Sequence, residues 1–524
     1  MLLVGVLLVG VLLVGVVAAS AIAVLLVWRI GIPIIGVDLD RLEAVSPERH
    51  NHASPAGAIA PSAQMPLSAE HAANLTAIVG TGAIRTAQDL AARDPGIDAR
   101  NFGAGFMVRP AATDEVARVL AYCNSVRLGV VPQGGRTGLA GGAESRDGEI
   151  VVALDRFDRI ESLDPVSRTA VVGAGVTLAA LAERAAAHGL APGIDLGARD
   201  SATLGGLVST NAGGNAAFRH GTMRERVLGL EVVLADGSVL TELAQVRKRN
   251  EGLAIERLFI GAEGTLGVVT RVALGLIASP GPPATALIAV PDLEAAVSIC
   301  DLAQREPGID LQAIELMSGN HAAACCRAAG AADLAPLASA PYLVLVEVCA
   351  PEAATAEAGL VALLEQASER AFVADAMLAQ NLAQRATFWR IREDWAVDRE
   401  RPGGLWYDVS VPIARLPQYL EGCRGRLAAH DPTLELFVIG HLADGNVHLT
   451  VNATRPISER YEEIAPLLTD PLAALGGSFS AEHGIGLEKK STLMRLGSTQ
   501  RLAMMRKVKA SFDPNGIMNP GKML

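Results

Sequence analysis

The sequence predicts an α+β protein built from two folded domains. Its 524 residues, half of them hydrophobic, are more than one hydrophobic core usually organises. Between Phe102 and Leu276, short strand-like runs alternate with glycine clusters and alanine-rich helical stretches. After a Pro/Gly-rich segment at 279–283, longer strands and helices indicate a second domain on one antiparallel sheet.

Composition shifts divide the chain into four segments. A hydrophobic segment covers residues 1–36, and a linker rich in Pro, Ala, Ser and His covers residues 37–66. The first predicted domain covers residues 67–280, and the second covers residues 281–524.

The first 28 residues carry no charged side chain, and Leu-Leu-Val-Gly-Val occurs three times between positions 2 and 16. This run is long enough to cross a bilayer and ends at Arg29. One interpretation is a transmembrane anchor that leaves the body of the protein on the cytoplasmic side of the membrane. The alternative is translation of a repetitive upstream DNA stretch, with Met65 as the true start and a cytoplasmic protein.

Periodicity and turn signals define the elements of both domains. Helices are predicted near 67–79, 178–188, 293–304, 352–369 and 498–511. Strands are predicted at 129–131, 150–154, 170–172, 285–290 and 342–348, with an Asp-Gly hairpin across 228–240.

The net charge of −11 and the lack of a basic run argue against a nucleic-acid-binding protein. The six cysteines show neither a Cys-x-x-Cys pair nor a framework spacing, which is typical of reduced thiols in the cytoplasm. We expect adjacent Cys325 and Cys326 to lie in a helix as small apolar residues.

The segment from Ile439 to His448 predicts a hairpin with a two-residue turn at Asp444-Gly445. In that register His441 lies directly opposite His448, with their Cβ atoms about 5 Å apart. Two imidazoles at this separation can hold one metal ion, and Glu482 or His483 could complete the site. Each histidine could instead be an ordinary buried or capping residue, and Glu482-His483 could simply begin a helix.

Four glycine-rich segments lie in the first domain, at 132–142, 204–206, 210–214 and 261–267. Glycines allow several backbone N–H groups to converge on an anion, and a diphosphate is the natural guest of the first segment. No Gly-x-Gly-x-x-Gly opens a helix in a βαβ unit, so the pattern is not a Rossmann fingerprint. Four such segments together indicate a backbone wrapped around a long ligand.

These motifs carry a family resemblance. PQGGRTGLAGGA, DLGARDSATLGGLVSTNAGG, RHGTMRERVLGLEVVLADG, FIGAEGTLGVVT, GHLADGNVHL, AEHGIG and DPNGIMNPGK stand between residues 132 and 522. From about residue 67 onward the chain resembles the FAD-dependent 2-hydroxyacid dehydrogenases of the vanillyl-alcohol oxidase superfamily, which include D-lactate, glycolate and D-2-hydroxyglutarate enzymes. The resemblance implies a two-part FAD-binding domain, then an α+β cap domain with an antiparallel sheet, and a C-terminal segment that returns to the flavin.

The resemblance also implies roles for individual residues. The flavin pyrophosphate would lie on 134–138, and Arg136 stands where relatives with covalent flavin often have His, so FAD here is expected to be non-covalent. The expected FAD contacts are Pro132, Gly134, Gly135, Arg136, Thr137, Gly138, Gly205, Gly206, Asn211, Gly213, Gly214, Gly264, Thr265, Gly267, Val268 and Asn519. His441, His448 and Glu482 would bind a divalent metal, and His483 would be the catalytic base. Zinc suits this ligand set, and manganese or iron remains an alternative.

Arg392 resembles the arginine that binds the substrate carboxylate in this family, by bidentate pairing. Its other interpretation is a solvated helix face, since Arg390, Glu393 and Asp394 surround it.

Three positions depart from the hydroxyglutarate enzymes. Trp406 replaces their lysine before Tyr-Asp, Ala396 replaces a threonine, and Thr450 replaces an asparagine. The loss of a cation argues against a second substrate carboxylate. We therefore expect a monocarboxylic 2-hydroxy acid, of D configuration by resemblance, with an apolar or aromatic tail.

The leading function is thus an FAD-dependent dehydrogenase that passes electrons to a quinone, a cytochrome or an electron-transferring flavoprotein. D-2-hydroxyglutarate dehydrogenase proper is the alternative within the family. A metal-dependent hydrolase using the His/His/Glu site is the alternative from another class, and it leaves the glycine segments unexplained. A tethered subunit that binds flavin without turnover is a third possibility, and the sequence does not indicate an oligomeric state.

Overall fold

The structure, a computed structural model, describes residues 67–524. The described chain contains helices and four β-sheets, and three of these sheets are wholly antiparallel, which confirms the predicted α+β class. None of its helices is both long and apolar enough to cross a membrane. The predicted anchor and linker at 1–66 lie outside the described residues.

The first sheet has the strand order β1-β2-β4-β3. β2 and β3 both run parallel to β4, and β1 is antiparallel to β2. The strands are β1 (Ile84–Thr86), β2 (Phe106–Val108), β3 (Gly129–Gln133) and β4 (Glu149–Ala153), and the helices of this region are α1 (Ala69–Val79), α2 (Ala87–Ala91) and α3 (Thr113–Val126). A bridge from Val130 to Met518 brings the C-terminal segment against β3.

The second sheet has the order β5-β6-β10-β8-β9. Its strands are β5 (Ile160–Asp164), β6 (Thr169–Gly173), β8 (Val227–Val233), β9 (Val239–Glu242) and β10 (Val268–Gly275), while β7 (Leu190–Ala191) pairs separately with β11 (Ile277–Ala278). Four helices lie between these strands: α4 (Leu178–Ala186), α5 (Leu204–Thr210), α6 (Ala217–His220) and α7 (Met223–Arg226). Asp236 and Gly237 form the predicted turn between β8 and β9, where Gly237 has a φ of +86°.

A seven-stranded sheet, the cap sheet, follows with the order β15-β12-β14-β13-β17-β18-β16. Its strands are β12 (Pro283–Val290), β13 (Asp310–Ser318), β14 (Tyr342–Cys349), β15 (Asp375–Leu378), β16 (Leu405–Ser410), β17 (Glu435–His441) and β18 (Asn446–Asn452). The helices are α8 (Leu293–Arg305), α9 (Gly319–Ala329), α10 (Ala353–Glu369), α11 (Leu382–Glu393), α12 (Ala396–Glu400), α13 (Leu416–His430), α14 (Tyr461–Thr469), α15 (Leu472–Leu475), α16 (Lys490–Leu496) and α17 (Thr499–Phe512).

The two faces of the cap sheet differ in chemistry. One face packs on α8, α10, α13 and α14 in an apolar core. The other face packs on α9 and α11, and among its apolar residues it carries buried acidic and imidazole side chains. Strand alternation produces this division, because cross-strand partners and residues two apart share a face. Cys325 and Cys326 lie buried in α9, as predicted.

Candidate metal and flavin site

His441 and His448 lie on the polar face of the cap sheet, at the ends of the β17–β18 hairpin. The register pairs His441 with Asn446 and Ile439 with His448, so the prediction that the two histidines are direct partners was wrong. The turn is longer than two residues, because Leu442–Asp444 form a 3₁₀ turn before Gly445 takes a φ of +71°. A shift of two residues preserves the face, and the two rings still lie 5.6 Å apart, edge to face.

Glu482 and His483 reach the same place from the loop before α16, which we call the Glu-His loop (residues 481–486). One carboxylate oxygen of Glu482, Oε1, lies 3.4 Å from Nε2 of His448, 3.6 Å from Nε2 of His483 and 3.9 Å from Nε2 of His441. The rings of His448 and His483 stack with centroids 5.3 Å apart. The structure therefore brings together all four residues that the sequence predicted as one site.

Asp408 holds the Glu-His loop against the cap sheet. Its Oδ2 accepts the backbone N–H groups of Ala481, Glu482 and His483 at 3.0–3.1 Å, together with Nζ of Lys489 at 3.1 Å. Its Oδ1 accepts the side-chain N–H of Asn446 at 2.9 Å. Asp408 is 2% exposed, so these donors replace the water that its charge would otherwise need.

Glu315 joins His441 to the predicted substrate arginine. Its Oε1 accepts Nδ1–H of His441 at 2.9 Å, and its Oε2 accepts from Nε and Nη2 of Arg392, both at 2.8 Å. Arg392 is buried in this ion pair, so it does not lie on a solvated helix face. Glu315 therefore engages neither Nη1 of Arg392 nor Nε2 of His441.

The ionisation of the site follows from burial and these partners. Burial lowers the pKa of His441, but the charge and hydrogen bond of Glu315 raise it further, to about 9 in net. Burial holds the pKa of His448 well below its ordinary value and also lowers that of His483. Burial would raise the pKa of Asp408, but Lys489 and the two neighbouring imidazoles lower it well below its usual range.

The donor set fits a divalent metal. By distance alone, Asp408, His448, Glu482 and His483 form a cluster whose candidate ligand atoms lie within 4.8 Å of one another. Asp408 is the weakest candidate ligand of the four, because five N–H donors already occupy its oxygens and it faces the Nδ1 atoms of His448 and His483 at 3.7 and 3.8 Å. The Nε2 atoms of His441 and His448 and the Glu482 carboxylate are the nitrogen and oxygen ligands that zinc accepts.

The glycines of the predicted cofactor segments bring separate backbones into contact. A Cβ at Gly134 would collide with Thr203, one at Gly135 with the carbonyl of Ser201, and one at Gly205 with Ala174. The segment at 132–138 thus lies directly on the segment at 201–206. The Cβ position of Gly138, in contrast, has no neighbour within 4 Å and faces open space.

Buried polar atoms without a hydrogen-bond partner mark the same region. Within the described residues they include Thr203 Oγ1, Arg136 Nε, Gln133 Oε1 and Asn519 Oδ1. A buried hydroxyl or amide oxygen left unpaired is costly, so its partner is expected from a ligand or water. These residues fit a bound dinucleotide cofactor. Thr203 and Gln133 were not among the predicted contacts, although Gln133 precedes Gly134 in sequence and Thr203 packs against Gly134.

Several predicted flavin contacts have structural partners of their own. Asn211 takes a φ of +55° and accepts from Thr222 Oγ1 and Arg224 N–H, and Thr265 donates to Ala262 C=O. The remaining predicted positions differ in their packing. Five glycines pack against other residues: Gly206 against Thr203, Gly213 against Ala217, Gly214 against the carbonyl of Asp195, Gly264 against Pro132, and Gly267 against Val233. Val268 begins β10, Pro132 lies in β3, and Thr137 lies in the glycine-rich loop that follows β3.

Sequence reasoning missed Glu315, Asp408 and Glu263. For Glu315 and Asp408 the available signal was an acidic residue inside an otherwise apolar strand, as in Ala-Ile-Glu-Leu-Met and Trp-Tyr-Asp-Val, because acidic residues are depleted from strands. Glu263 lies in a glycine turn, where this signal does not apply.

Comparison with known proteins gives two family matches. Residues 104–242 match the FAD binding domain family, and residues 280–523 match the family of FAD linked oxidases, C-terminal domain. A D-2-hydroxyglutarate dehydrogenase of Xanthomonas citri is 36% identical over 420 residues, covering 79% of this chain and 88% of the relative. The mitochondrial D-2-hydroxyglutarate dehydrogenase of Arabidopsis thaliana is 35% identical over 419 residues, covering 80% and 74%.

Among solved structures, p-cresol methylhydroxylase with bound substrate aligns with a TM-score of 0.67, 14% identity and coverage of 88% of this chain and 98% of the other. At that identity the match concerns the fold, and it agrees with the predicted vanillyl-alcohol oxidase type. FAD as the cofactor is thereby confirmed, since the first family match is to an FAD binding domain.

Proposed function

The chain belongs to the FAD-linked 2-hydroxyacid dehydrogenases, and from that premise we propose that it oxidises a monocarboxylic 2-hydroxy acid at a metal site beside the flavin. The observation that carries the proposal is the convergence of three imidazole Nε2 atoms on one oxygen of Glu482. The three Nε2 atoms lie 3.4–3.9 Å from Oε1 of Glu482. A cation bound between the nitrogens and this oxygen would explain why the four side chains converge.

His441, His448 and Glu482 would hold the metal, and zinc is the proposed ion. Zinc there would supply a Lewis acid that lowers the pKa of the substrate hydroxyl, and FAD would supply the hydride acceptor. Glu315 fixes the tautomer of His441 by accepting its Nδ1–H, which leaves Nε2 as the ligand atom.

His483 is the proposed base. Its ring stacks on His448, and burial lowers its pKa, so the neutral form that can accept a proton is favoured. Arg392 is the proposed partner of the substrate carboxylate, because its Nη1 is not engaged by Glu315 and its guanidinium is held rigidly by that carboxylate.

FAD would lie non-covalently along the glycine segments. The open space at Gly138, the unpaired Thr203 hydroxyl and the unpaired Asn519 amide oxygen support that path. Arg136 has its guanidinium over the ring of Phe102, 5.4 Å from the centroid, and offers no nucleophile for a covalent flavin link.

The substrate is proposed to carry one carboxylate and an apolar or aromatic tail. Trp406 lies two residues before Asp408 on β16 and therefore on the same face as the metal cluster. Trp395 packs edge to face on it, with centroids 4.9 Å apart, and is 47% exposed. An indole wall at this position favours apolar groups over a second carboxylate. The names of the relatives keep D-2-hydroxyglutarate as the second candidate.

The electrons are proposed to leave to a quinone, a cytochrome or an electron-transferring flavoprotein, since the sequence has no cysteine-rich iron–sulfur segment. The proposed location is cytoplasmic, or the cytoplasmic side of a membrane if residues 1–28 anchor the chain.

Anaerobic bleaching of the flavin absorbance tests this function. D-lactate and larger apolar 2-hydroxy acids are expected to bleach it faster than D-2-hydroxyglutarate, and each reaction should slow after chelation and recover with zinc. Faster bleaching by D-2-hydroxyglutarate would refute the monocarboxylic substrate. A rate insensitive to chelation would refute the metal.

A further inference from the structure

Glu263 lies in the Gly-Ala-Glu-Gly turn of the first domain, 222 positions before Ile485 of the Glu-His loop. Its φ of +51° is left-handed, which costs a non-glycine residue free energy unless its surroundings hold it there. The side chain is buried, and its two oxygens accept the backbone N–H groups of Ile485 at 2.7 Å and Gly486 at 2.6 Å. A residue of the glycine-rich flavin region thus holds the second half of the Glu-His loop.

The fit around this contact is close. Gly484 has a φ of +82°, and a Cβ there would lie 2.7 Å from Glu263 Oε1. Just beyond the loop, the N–H groups of Leu487 and Glu488 donate to the carbonyl of Ala140, within the first glycine segment, at 2.9 and 3.2 Å. The side chain of Asn519 donates to the carbonyl of Glu263 at 2.7 Å. Four segments, around Ala140, Glu263, residues 484–488 and Asn519, therefore meet at this point.

The other half of the loop is held from the opposite side. Asp408, on the cap sheet, accepts the N–H groups of Ala481, Glu482 and His483. Hydrogen bonds from N–H groups to carboxylates are stronger than neutral ones. The Glu-His loop is thus suspended between two buried carboxylates, one from the cap sheet and one from the flavin-binding region.

We propose that Glu263 is a positioning residue that fixes the Glu482 and His483 side chains relative to the flavin-binding segments. The inference rests on the proposed metal site and extends it to a residue of the other domain. A ligand set needs its members held to about 0.5 Å. The N–H groups of Ile485 and Gly486, which closely follow Glu482 and His483, are held by Glu263, whereas the contacts to Ala140 begin only at Leu487. Without the Glu263 carboxylate, Ile485 and Gly486 lose their acceptors while Asp408 still holds residues 481–483.

Substitution Glu263→Gln tests the proposal, since glutamine keeps the size but presents an amide that cannot accept at both positions. Glu231→Gln is the matched control, because Glu231 is a buried carboxylate whose partners, Thr113, Thr241, Thr270 and Arg271, lie in α3 and the second sheet. The first readout is hydrogen exchange of the amides at 484–488. The second is zinc affinity, from competition with a chromophoric chelator.

Glu263→Gln is expected to speed exchange at 484–488 and to weaken zinc binding about 10–100-fold, as loss of a supporting residue does at other metal sites. Glu231→Gln is expected to leave both unchanged. If Glu263→Gln keeps wild-type exchange at 484–488 and a zinc affinity within twofold of wild type, the role of Glu263 is overturned and the proposed metal site is not. A wild-type protein that binds no zinc overturns the proposed metal site and this inference together.

Discussion

Two polar groups lie on one face of the cap sheet, one around Glu347 and one around Glu315 and Asp408, and their partners differ. Glu347 accepts from Thr285 Oγ1 at 2.8 Å, from Nε and Nη2 of Arg385 at 2.7 Å each, and from Trp389 Nε1 at 2.9 Å. Every partner is a donor, so the group is complete within the protein. It ties α11 to β14 and β12.

The second group consists of Glu315, Asp408 and the residues around Glu482. Here too, hydrogen-bond donors surround Glu315 and Asp408. The imidazole Nε2 atoms and Glu482, in contrast, face one another at 3.4–3.9 Å, and within the described residues no hydrogen bond of standard geometry joins them. His448 Nδ1 likewise has no hydrogen-bond partner there. Burial is similar in both groups, so burial alone does not mark function. What distinguishes the second group is that its imidazole Nε2 atoms converge on one oxygen of Glu482.

The largest expected effect comes from removing a proposed metal ligand from the second group. His448→Ala should abolish tight zinc binding and lower the rate of flavin reduction about 10³-fold, because metal polarisation supplies several kcal/mol of barrier lowering. Anaerobic stopped-flow absorbance and zinc analysis measure the two quantities. A variant that keeps stoichiometric zinc would remove His448 from the ligand set, and a melting temperature near wild type serves as the control for folding.

Glu315→Gln should have the next largest effect. The amide can no longer accept from both His441 and Arg392, so zinc affinity should fall about 10–100-fold and the KM for the hydroxy acid should rise. Chelator competition and steady-state kinetics check the two parts. If KM alone rises, Glu315 serves Arg392 and does not orient His441.

The four residues of the proposed metal site could be predicted from the sequence, but the register that positions them could not. The hairpin signal and the Glu-His pair were enough to place His441, His448, Glu482 and His483 together, because side-chain alternation survives a shift of two residues. The register itself was wrong, since turn length depends on backbone geometry at Leu442–Asp444 that an Asp-Gly dipeptide does not specify.

The supporting carboxylates lay beyond local patterns for a different reason. Glu315 is 126 positions from His441, and Glu263 is 222 positions from Ile485. Such pairings depend on strand order and on the contact between sheets. The sequence pattern of apolar residues predicted individual strands and helices, such as β14 and α8, because that pattern reflects how each element is buried.

Trp406→Lys should change specificity more than stability. A cation on the face shared with Asp408 could pair with a second substrate carboxylate, at about 1.5–3 kcal/mol for such a bond, so the ratio of kcat/KM for D-2-hydroxyglutarate over D-lactate should rise about tenfold or more. Trp406→Phe is the control that keeps an aromatic wall. An unchanged ratio in Trp406→Lys would place the substrate tail elsewhere.

Glu347→Gln should affect the metal site least. Its loss weakens the attachment of α11 and should lower stability by about 1–3 kcal/mol, discounted because Arg385 is partly exposed. Zinc affinity should stay within about twofold, since the Glu347 group is complete without a ligand. Chemical denaturation and chelator competition test this pair of expectations. A large loss of zinc binding would mean that the two groups are one network.

Anomalous diffraction from crystals grown with zinc would locate the metal. We expect one strong peak about 2.0–2.2 Å from Nε2 of His441, Nε2 of His448 and a carboxylate oxygen of Glu482. A peak bound to Asp408 and His483 without His441, or a flavin-loaded crystal with no peak among these residues, would contradict that expectation.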